Sequence, residues 1–395
     1  MTSGATMEGG SPLDRAFLTA LLCLGLLTLV KRKFNLSNAI KENIWLMLLI
    51  GYMLVSCLWS DIPFISFKRW SRELIAVVMA FIVATEPDSR KALESLFRRI
   101  IYMLIPFSYI LINYFGEYGR IYVHHQGLLM WVGVTSHKNQ LCQLCFFAAF
   151  FLIWTIIRRK QGRDTSAVRY QTYFEVFILF LTFWLMGGPQ HILAYSATST
   201  IALVVGLSVF IWLSWRKKSG AILGTNILLV FIVIIFIYGL VTPFVGKLSL
   251  IDPSSSVGRE ETLTGRTSVW NQLVPVAMSR PIIGSGFGGF WTTEARELYS
   301  ISDSHNGYLA VLLEMGLFGL LLYAIFILSS FRKAQRMIIQ DFDWGVLWIC
   351  FLLMVVTHNI AESSLNTFMS RLTALILFLT VSSTKANLYT PEDSR

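Results

Sequence analysis

The chain has 395 residues, of which 55% are hydrophobic and 14% charged, with a formal net charge of +10. Soluble domains carry about 25% charged residues, so an ordinary water-soluble fold is excluded. The positive charges lie in short segments beside apolar runs, where membrane topology accounts for them, and this argues against a nucleic-acid partner.

Residues 1–12 are Gly/Ser-rich with an acidic residue and are expected to be a flexible N-terminus. The first apolar run has no small-residue cleavage site, so it is expected to stay as a span rather than leave as a signal peptide. The apolar runs have about the ~20 residues needed to cross a ~30 Å hydrocarbon core. Backbone groups in lipid must be satisfied within a segment, so these runs are expected to be helices. A barrel would show ~10-residue alternating strands, which the chain lacks. Eleven spans (10–12 allowing for error at the N-terminus) are predicted, at 13–30, 44–59, 73–85, 100–115, 140–157, 174–187, 198–214, 222–244, 306–331, 344–360 and 371–384. The third and sixth are short, which suits tilted, re-entrant or interfacial placement.

Charge alternates along the loops. Residues 31–43, 86–99, 158–173, 216–221, 332–343 and 385–395 together hold 21 of the 33 Lys and Arg. The positive-inside rule places this set in the cytoplasm. The long loop 246–304 and the segment GVTSHKNQ at Gly133–Gln140 then face outward. The domain plan is an N-terminal transmembrane bundle over 13–245, the outward loop 246–304, C-terminal transmembrane helices over 305–384 and a cytoplasmic tail 385–395. The five cysteines, Cys23, Cys57, Cys142, Cys145 and Cys350, lie in or beside apolar runs and read as small hydrophobes.

The outward loop concentrates the chemistry. It carries GRE at Gly258–Glu260, TGRTSVW at Thr264–Trp270, RPIIGSGFGGFW at Arg280–Trp291 and DSHNGYL running from Asp303 into the next span. Arg259 and Arg266 suit a phosphate or pyrophosphate, because guanidinium offers paired N–H donors and a permanent charge. Solvated loop charges or lipid headgroup contacts are the plainer alternatives. The segment from Thr267 to Ser279 is predicted as a short amphipathic helix capped by Thr267. Its apolar face would be Trp270, Leu273, Val274 and Ala277, and its N-terminus would lie near Arg266. His305, at the mouth of a span with Asn306, suits a general base near neutral pH, with Asp303 or Glu314 to orient it; a hydrogen-bonded structural histidine is the alternative. His137 and Lys138 form a second polar knot, either a further contact for an anion or a helix N-terminus capped by Ser136. His358 and Glu362 are spaced one helical turn apart. His124, His125 and His191 carry no signal. The glycine run Gly284–Gly289 lacks the preceding strand of a dinucleotide site and is expected to make tight turns and a close backbone approach to a ligand. The scattered acidic residues form no divalent-ion pattern, and no cofactor is predicted.

The GRE and TGRTSVW segments, RPIIGSGFGGFW and SHNGYLAVLLEMGLFG together resemble the C-terminal core of the O-antigen ligase and polysaccharide polymerase superfamily. SHKNQL at Ser136–Leu141 and WSDIPFISFKRW at Trp59–Trp70 are most similar to its exopolysaccharide-production polymerases. The resemblance implies an all-α integral membrane protein of GT-C-like fold in the bacterial inner membrane, with 246–304 as a periplasmic catalytic loop. It implies a metal-independent glycosyltransferase whose donor and partner is an undecaprenyl-diphosphate-linked glycan. Membrane lipids, chain-length regulator and export proteins complete the implied partners. On this chain the family roles fall on His305 as catalytic residue and on Arg266, with Arg259 in support, as substrate-binding residues; Lys138, His137, Asn306 and Arg69 are further candidate substrate-binding residues, with Lys138 or Arg69 able to stand in for a basic residue the family has elsewhere. The polymerase reading is preferred to the ligase one on the exopolysaccharide-type segments alone. One departure is evident: the family commonly has a basic residue in a Ser-x-Ser-[Arg/Lys]-Thr segment, and Ser199 stands there. Two other classes compete: a polytopic polysaccharide or lipid transporter, and a non-catalytic assembly protein.

Overall fold

The computed structural model describes residues 12–123, 128–163, 169–189, 196–216, 222–245, 261–299 and 303–383. The helices are, in order, α1 (Pro12–Lys31), α2 (Leu36–Glu42), α3 (Ile44–Ser56), α4 (Pro63–Ala84), α5 (Ser89–Tyr114), α6 (Lys138–Lys160), α7 (Arg169–Gly187), α8 (Ala197–Arg216), α9 (Ile222–Val245), α10 (Glu261–Ser279), α11 (Thr293–Tyr299), α12 (Gly307–Gln340), α13 (Phe342–His358) and α14 (Arg371–Ser382). Each of the eleven predicted spans falls on a helix. Among the described residues, six helices are long and apolar enough to cross a membrane, and a seventh span arises if α2 and α3, bent by 98°, count as one. The protein is therefore helical and multi-pass. A departure from all-α is the two-stranded hairpin of β1 (Arg120–Val123) and β2 (Leu128–Trp131), paired antiparallel with Arg120 opposite Trp131. The third segment also exceeds expectation: Pro63, which presets φ for a first helical turn, starts α4 ten residues before the apolar run.

The chain forms two compact units, 1–92 with 227–334 and 359–395, and 93–226 with 335–358. In the second unit α13 and most of α6 are buried. Phe97, Phe147, Phe150, Phe151 and Phe351 interlock there through edge-on and tilted ring contacts. Cys142, Cys145 and Cys350 lie buried in this core. Arg159 pairs with the buried Glu175, which also accepts from Tyr102, while Arg98 pairs with Glu94 at 2.7 Å. These groups belong to, or pack against, loops assigned to the cytoplasm by charge.

In the first unit α1 and α14 pack on α4. Most of α1 is exposed and apolar, including Leu13, Phe17, Leu24, Leu27 and Val30, as lipid contact requires. Arg32 donates to Glu86 at 2.6 Å and to Thr85 at 2.8 Å, and Lys333 donates to Asn43 at 2.8 Å.

A break in α12 shapes the region around the polar loop. Gly316 sits at φ +65° within the helix. The chain at Pro281–Ser285 enters this break and satisfies its stranded backbone groups. Leu317 N donates to Pro281 O at 2.8 Å, Phe318 N to Ile282 O at 3.1 Å, and Ser285 N to Leu313 O at 3.0 Å. Tyr52 Oη donates to Met315 O at 2.8 Å. A Cβ on Gly316 would collide with the Ile282 backbone, and one on Gly284 would lie 2.6 Å from the Glu314 carbonyl. Positive φ alone costs a non-glycine residue ~1–3 kcal/mol. Gly316→Ala is expected to lower the thermal midpoint sharply. Gly51→Ala, where the new methyl meets nothing within 4 Å, should leave the midpoint unchanged or raise it. Equal midpoints for the two variants would show that the break carries no packing constraint.

Candidate active site

The polar residues of the first unit are placed by a few buried amides and carboxylates. Asn306 caps α12: its Oδ1 accepts from Leu309 N at 2.8 Å, while its Nδ2 donates to Gly239 O and Ile360 O, both at 2.9 Å. Ser304 is buried beside it. Its carbonyl accepts from Trp270 Nε1 at 2.9 Å, and its Oγ donates to Asn306 O at 2.9 Å. Asn359 holds the following loop, accepting from Ser364 N at 2.8 Å and Leu365 N at 3.1 Å, and its carbonyl accepts from Gly307 N at 2.9 Å. Three distant stretches of chain thus meet at the start of α12.

Between these anchors lies His305, at φ +50°, a left-handed conformation few non-glycine residues adopt. Its backbone N–H donates to Asp303 Oδ1 at 3.4 Å. The imidazole faces Glu362, with Nδ1 to Oε2 at 4.0 Å, which is ion-pair rather than hydrogen-bond distance. The other Glu362 oxygen accepts from Arg266 Nη2 at 2.7 Å. Glu362 is therefore a bridge between the guanidinium and the imidazole. The facing Glu362 carboxylate raises the His305 pKa above its ordinary value; desolvation lowers it, Asp303 adds a further rise, and Arg266 opposes. Arg266 has Glu362 as its one hydrogen-bond partner among the described residues. Of its five N–H donors, the others make no hydrogen bond among the described residues.

Helix α10 carries Arg266. Its face of Trp270, Leu273 and Ala277 is buried against Phe290, Trp291, Leu309, Leu312 and Leu313. The predicted amphipathic face is correct, but the predicted cap is not. The helix begins at Glu261, so Thr267 is interior and Arg266 lies past the first turn. The dipole effect falls off within that turn, so Arg266 acts through its own charge.

Arg69, on α4, donates to the carbonyls of Gly288 and Trp291. Glu314, buried in α12, accepts from Gly288 N at 3.2 Å and from Asn366 Nδ2 at 3.4 Å. Gly284, Gly286 and Gly288 all have positive φ, and the expected tight turns are present. The expectation that Glu314 orients His305 is overturned: its carboxylate holds the glycine turn, and Glu362 faces the imidazole.

In the second unit His137 itself caps α6, accepting from Asn139 N at 3.2 Å, so Ser136 is not the cap; Ser136 Oγ donates to Gln140 at 2.9 Å. Lys138 is the first residue of α6. Ser199 is buried and within 3.4 Å of His358 Nε2 and 3.2 Å of Ser196 Oγ. His358 ends α13 and Glu362 lies in the loop beyond, so the one-turn relation predicted for them is absent. Arg259, with His124, His125 and His191, lies outside the described residues. The structure thus brings together Arg266 and His305 and adds Glu362; it gives Asn306 an anchoring place and ties Arg69 to the glycine turn.

Residues 181–324 match the family model described as O-antigen ligase. This stretch of the chain is similar to that family. It contains Ser199, Arg266, the glycine turn, His305 and Glu314, while Glu362 lies beyond it. The chain is also similar to the exopolysaccharide production protein ExoQ of Rhizobium meliloti (strain 1021). The two are 26% identical over 325 residues, covering 76% of this chain and 67% of ExoQ. The resemblance to the O-antigen ligase and polysaccharide polymerase superfamily, on its exopolysaccharide-production side, is borne out.

Proposed function

We propose that the protein is an inner-membrane glycosyltransferase that polymerises undecaprenyl-diphosphate-linked repeat units into exopolysaccharide or O-antigen at the periplasmic face. The observation that carries this is the Arg266–Glu362–His305 array, one carboxylate shared by an anion-binding group and a titratable base. The donor diphosphate binds at Arg266, with Arg259 from the preceding segment in support. Glu362 faces the imidazole on its Nδ1 side and leaves Nε2 for the acceptor. His305 Nε2 takes the proton of the acceptor hydroxyl as that oxygen bonds to the anomeric carbon. The bond from that carbon to the diphosphate oxygen breaks, and the diphosphate leaves with the electron pair. Charge grows on the leaving group, where a fixed guanidinium stabilises it, so the scheme draws its positive charge from the chain itself. A single displacement inverts the anomeric centre.

The match of residues 181–324 to the O-antigen ligase family model favours a second reading, in which finished polymer passes to an acceptor lipid or sugar. Deleting the gene separates the two. Loss of a polymerase leaves single repeat units, whereas loss of a ligase leaves long chains on the carrier lipid.

The bridge predicts a pH effect. His305 accepts a proton only when neutral, and Glu362 holds its pKa up. The acid limb of kcat/KM therefore lies above the ordinary histidine range. Glu362→Gln removes the anionic partner, lowers the pKa and moves that limb to lower pH, with a smaller plateau rate from poorer orientation. A limb that does not move would uncouple Glu362 from the base.

A further inference from the structure

Beside α4, in the same unit as the array, lies a cavity of about 260 Å³ between α1 and α4. Four cationic residues line it, Arg15, Lys68, Arg69 and Arg72, together with the hydroxyl-bearing Thr19 and Ser71 and an aliphatic remainder. No carboxylate lines it among the described residues. Arg72 makes no hydrogen bond or ion pair among the described residues, and the Lys68 ammonium has only the ring of Phe64, 4.2 Å away. Lys68 and Arg72 thus bring two positive charges to the cavity with no counter-charge among the described residues, an arrangement that an anion would stabilise. The volume is just below the ~300–1,000 Å³ of drug-sized ligand sites. It suits a phosphate-bearing head with its lipid tail and sugars outside, and the exposed apolar face of α1 offers a path for a tail.

We infer that this cavity is a second diphosphate site, which holds the lipid-linked acceptor while Arg266 holds the donor. The inference rests on the polymerase reading, because a polymerase joins two lipid-diphosphate substrates whereas a ligase acts on one. Arg69 connects the two regions. Its guanidinium lines the cavity and donates to the carbonyls of Gly288 and Trp291, and Trp291 packs in the same cluster as Trp270 of α10. Acceptor binding is thereby coupled to the loop beside α10, which carries the donor clamp.

The test titrates purified full-length protein, in phosphatidylcholine nanodiscs, with a synthetic polyprenyl-diphosphate-linked repeat unit and counts bound equivalents. Wild type is expected to bind two. Lys68→Gln/Arg72→Gln should bind one, with at least a tenfold loss of affinity for the second. Both side chains are partly exposed, so the variant should fold, and Arg72→Lys should retain two. Arg266→Gln should lose the other equivalent. Two equivalents on the Lys68→Gln/Arg72→Gln protein, or one on wild type, overturns the acceptor site. Failure of Arg266→Gln to lose an equivalent sinks the donor clamp and leaves the cavity assignment intact. The titration is repeated in phosphatidylglycerol nanodiscs. Retention of both equivalents supports a dedicated acceptor site, and loss of the Lys68/Arg72 equivalent there shows a general anionic headgroup site and overturns the assignment.

Discussion

Replacing His305 by Ala is expected to cut polymer formation 10²–10⁴-fold, the usual contribution of a positioned base, with protein level and membrane insertion unchanged. The loss should be chemical because the anchoring is done by neighbours. Asn306 and Ser304 tie the segment to Gly239, Ile360 and Trp270, and the His305 Nδ1 makes no hydrogen bond. The left-handed backbone at His305 adds a small cost for Ala. His305→Asn removes that ambiguity, since asparagine tolerates positive φ better than most residues and cannot act as the base. Both variants should lose polymer alike. Wild-type-length polymer from His305→Asn would remove the imidazole from the mechanism.

Removing the Arg266 guanidinium is expected to cost about 10²–10³-fold in turnover, the scale seen when one group stabilising transition-state charge is lost. Arg266→Gln has a second effect. Glu362 is 8% exposed at its side chain and paired with Arg266 at 2.7 Å, so the single variant leaves a largely buried carboxylate without its cation. Breaking one partner of such a pair costs ~3–5 kcal/mol when fully buried, and less here because Arg266 keeps some exposure. Arg266→Gln/Glu362→Gln should therefore regain thermal stability without regaining turnover. Recovery of turnover by the double variant would show that Arg266 serves only the folding of its loop. Arg266→Lys keeps the charge but loses the paired donors, and should fall between wild type and Arg266→Gln.

Much of the fold was legible because it follows from local pattern. Apolar runs marked eleven segments that fall on helices, six of which are long and apolar enough to cross a membrane, and the spacing of Trp270, Leu273 and Ala277 marked the buried face of α10. The start of α4 was not legible from hydropathy, since Lys68, Arg69 and Arg72 break the apolar run while Pro63 sets the helix. At the site, Arg266 and His305 were visible as residue types in suspicious places. Glu362 as their partner was not, because the loop that carries it follows two further helices in the chain. No periodicity links such positions; long-range anchors such as Asn306, Asn359 and the Ser304–Ser363 contact bring them together. Glu314 was misassigned for the same reason: its partners, Gly288 and Asn366, lie far from it along the chain.

The interrupted helix α12 also constrains how the protein is made. A continuous helix can leave the insertion machinery with its backbone already satisfied, but α12 cannot, because its amides at Leu317 and Phe318 are completed by Pro281 and Ile282. Those residues are synthesised earlier and lie on the stretch that carries the glycine turn. Maturation of this span therefore waits on the return of a segment made before it. One amino acid inserted between Pro281 and Ser285 would put the whole splice out of register, so length variation here should be tolerated far less than sequence variation.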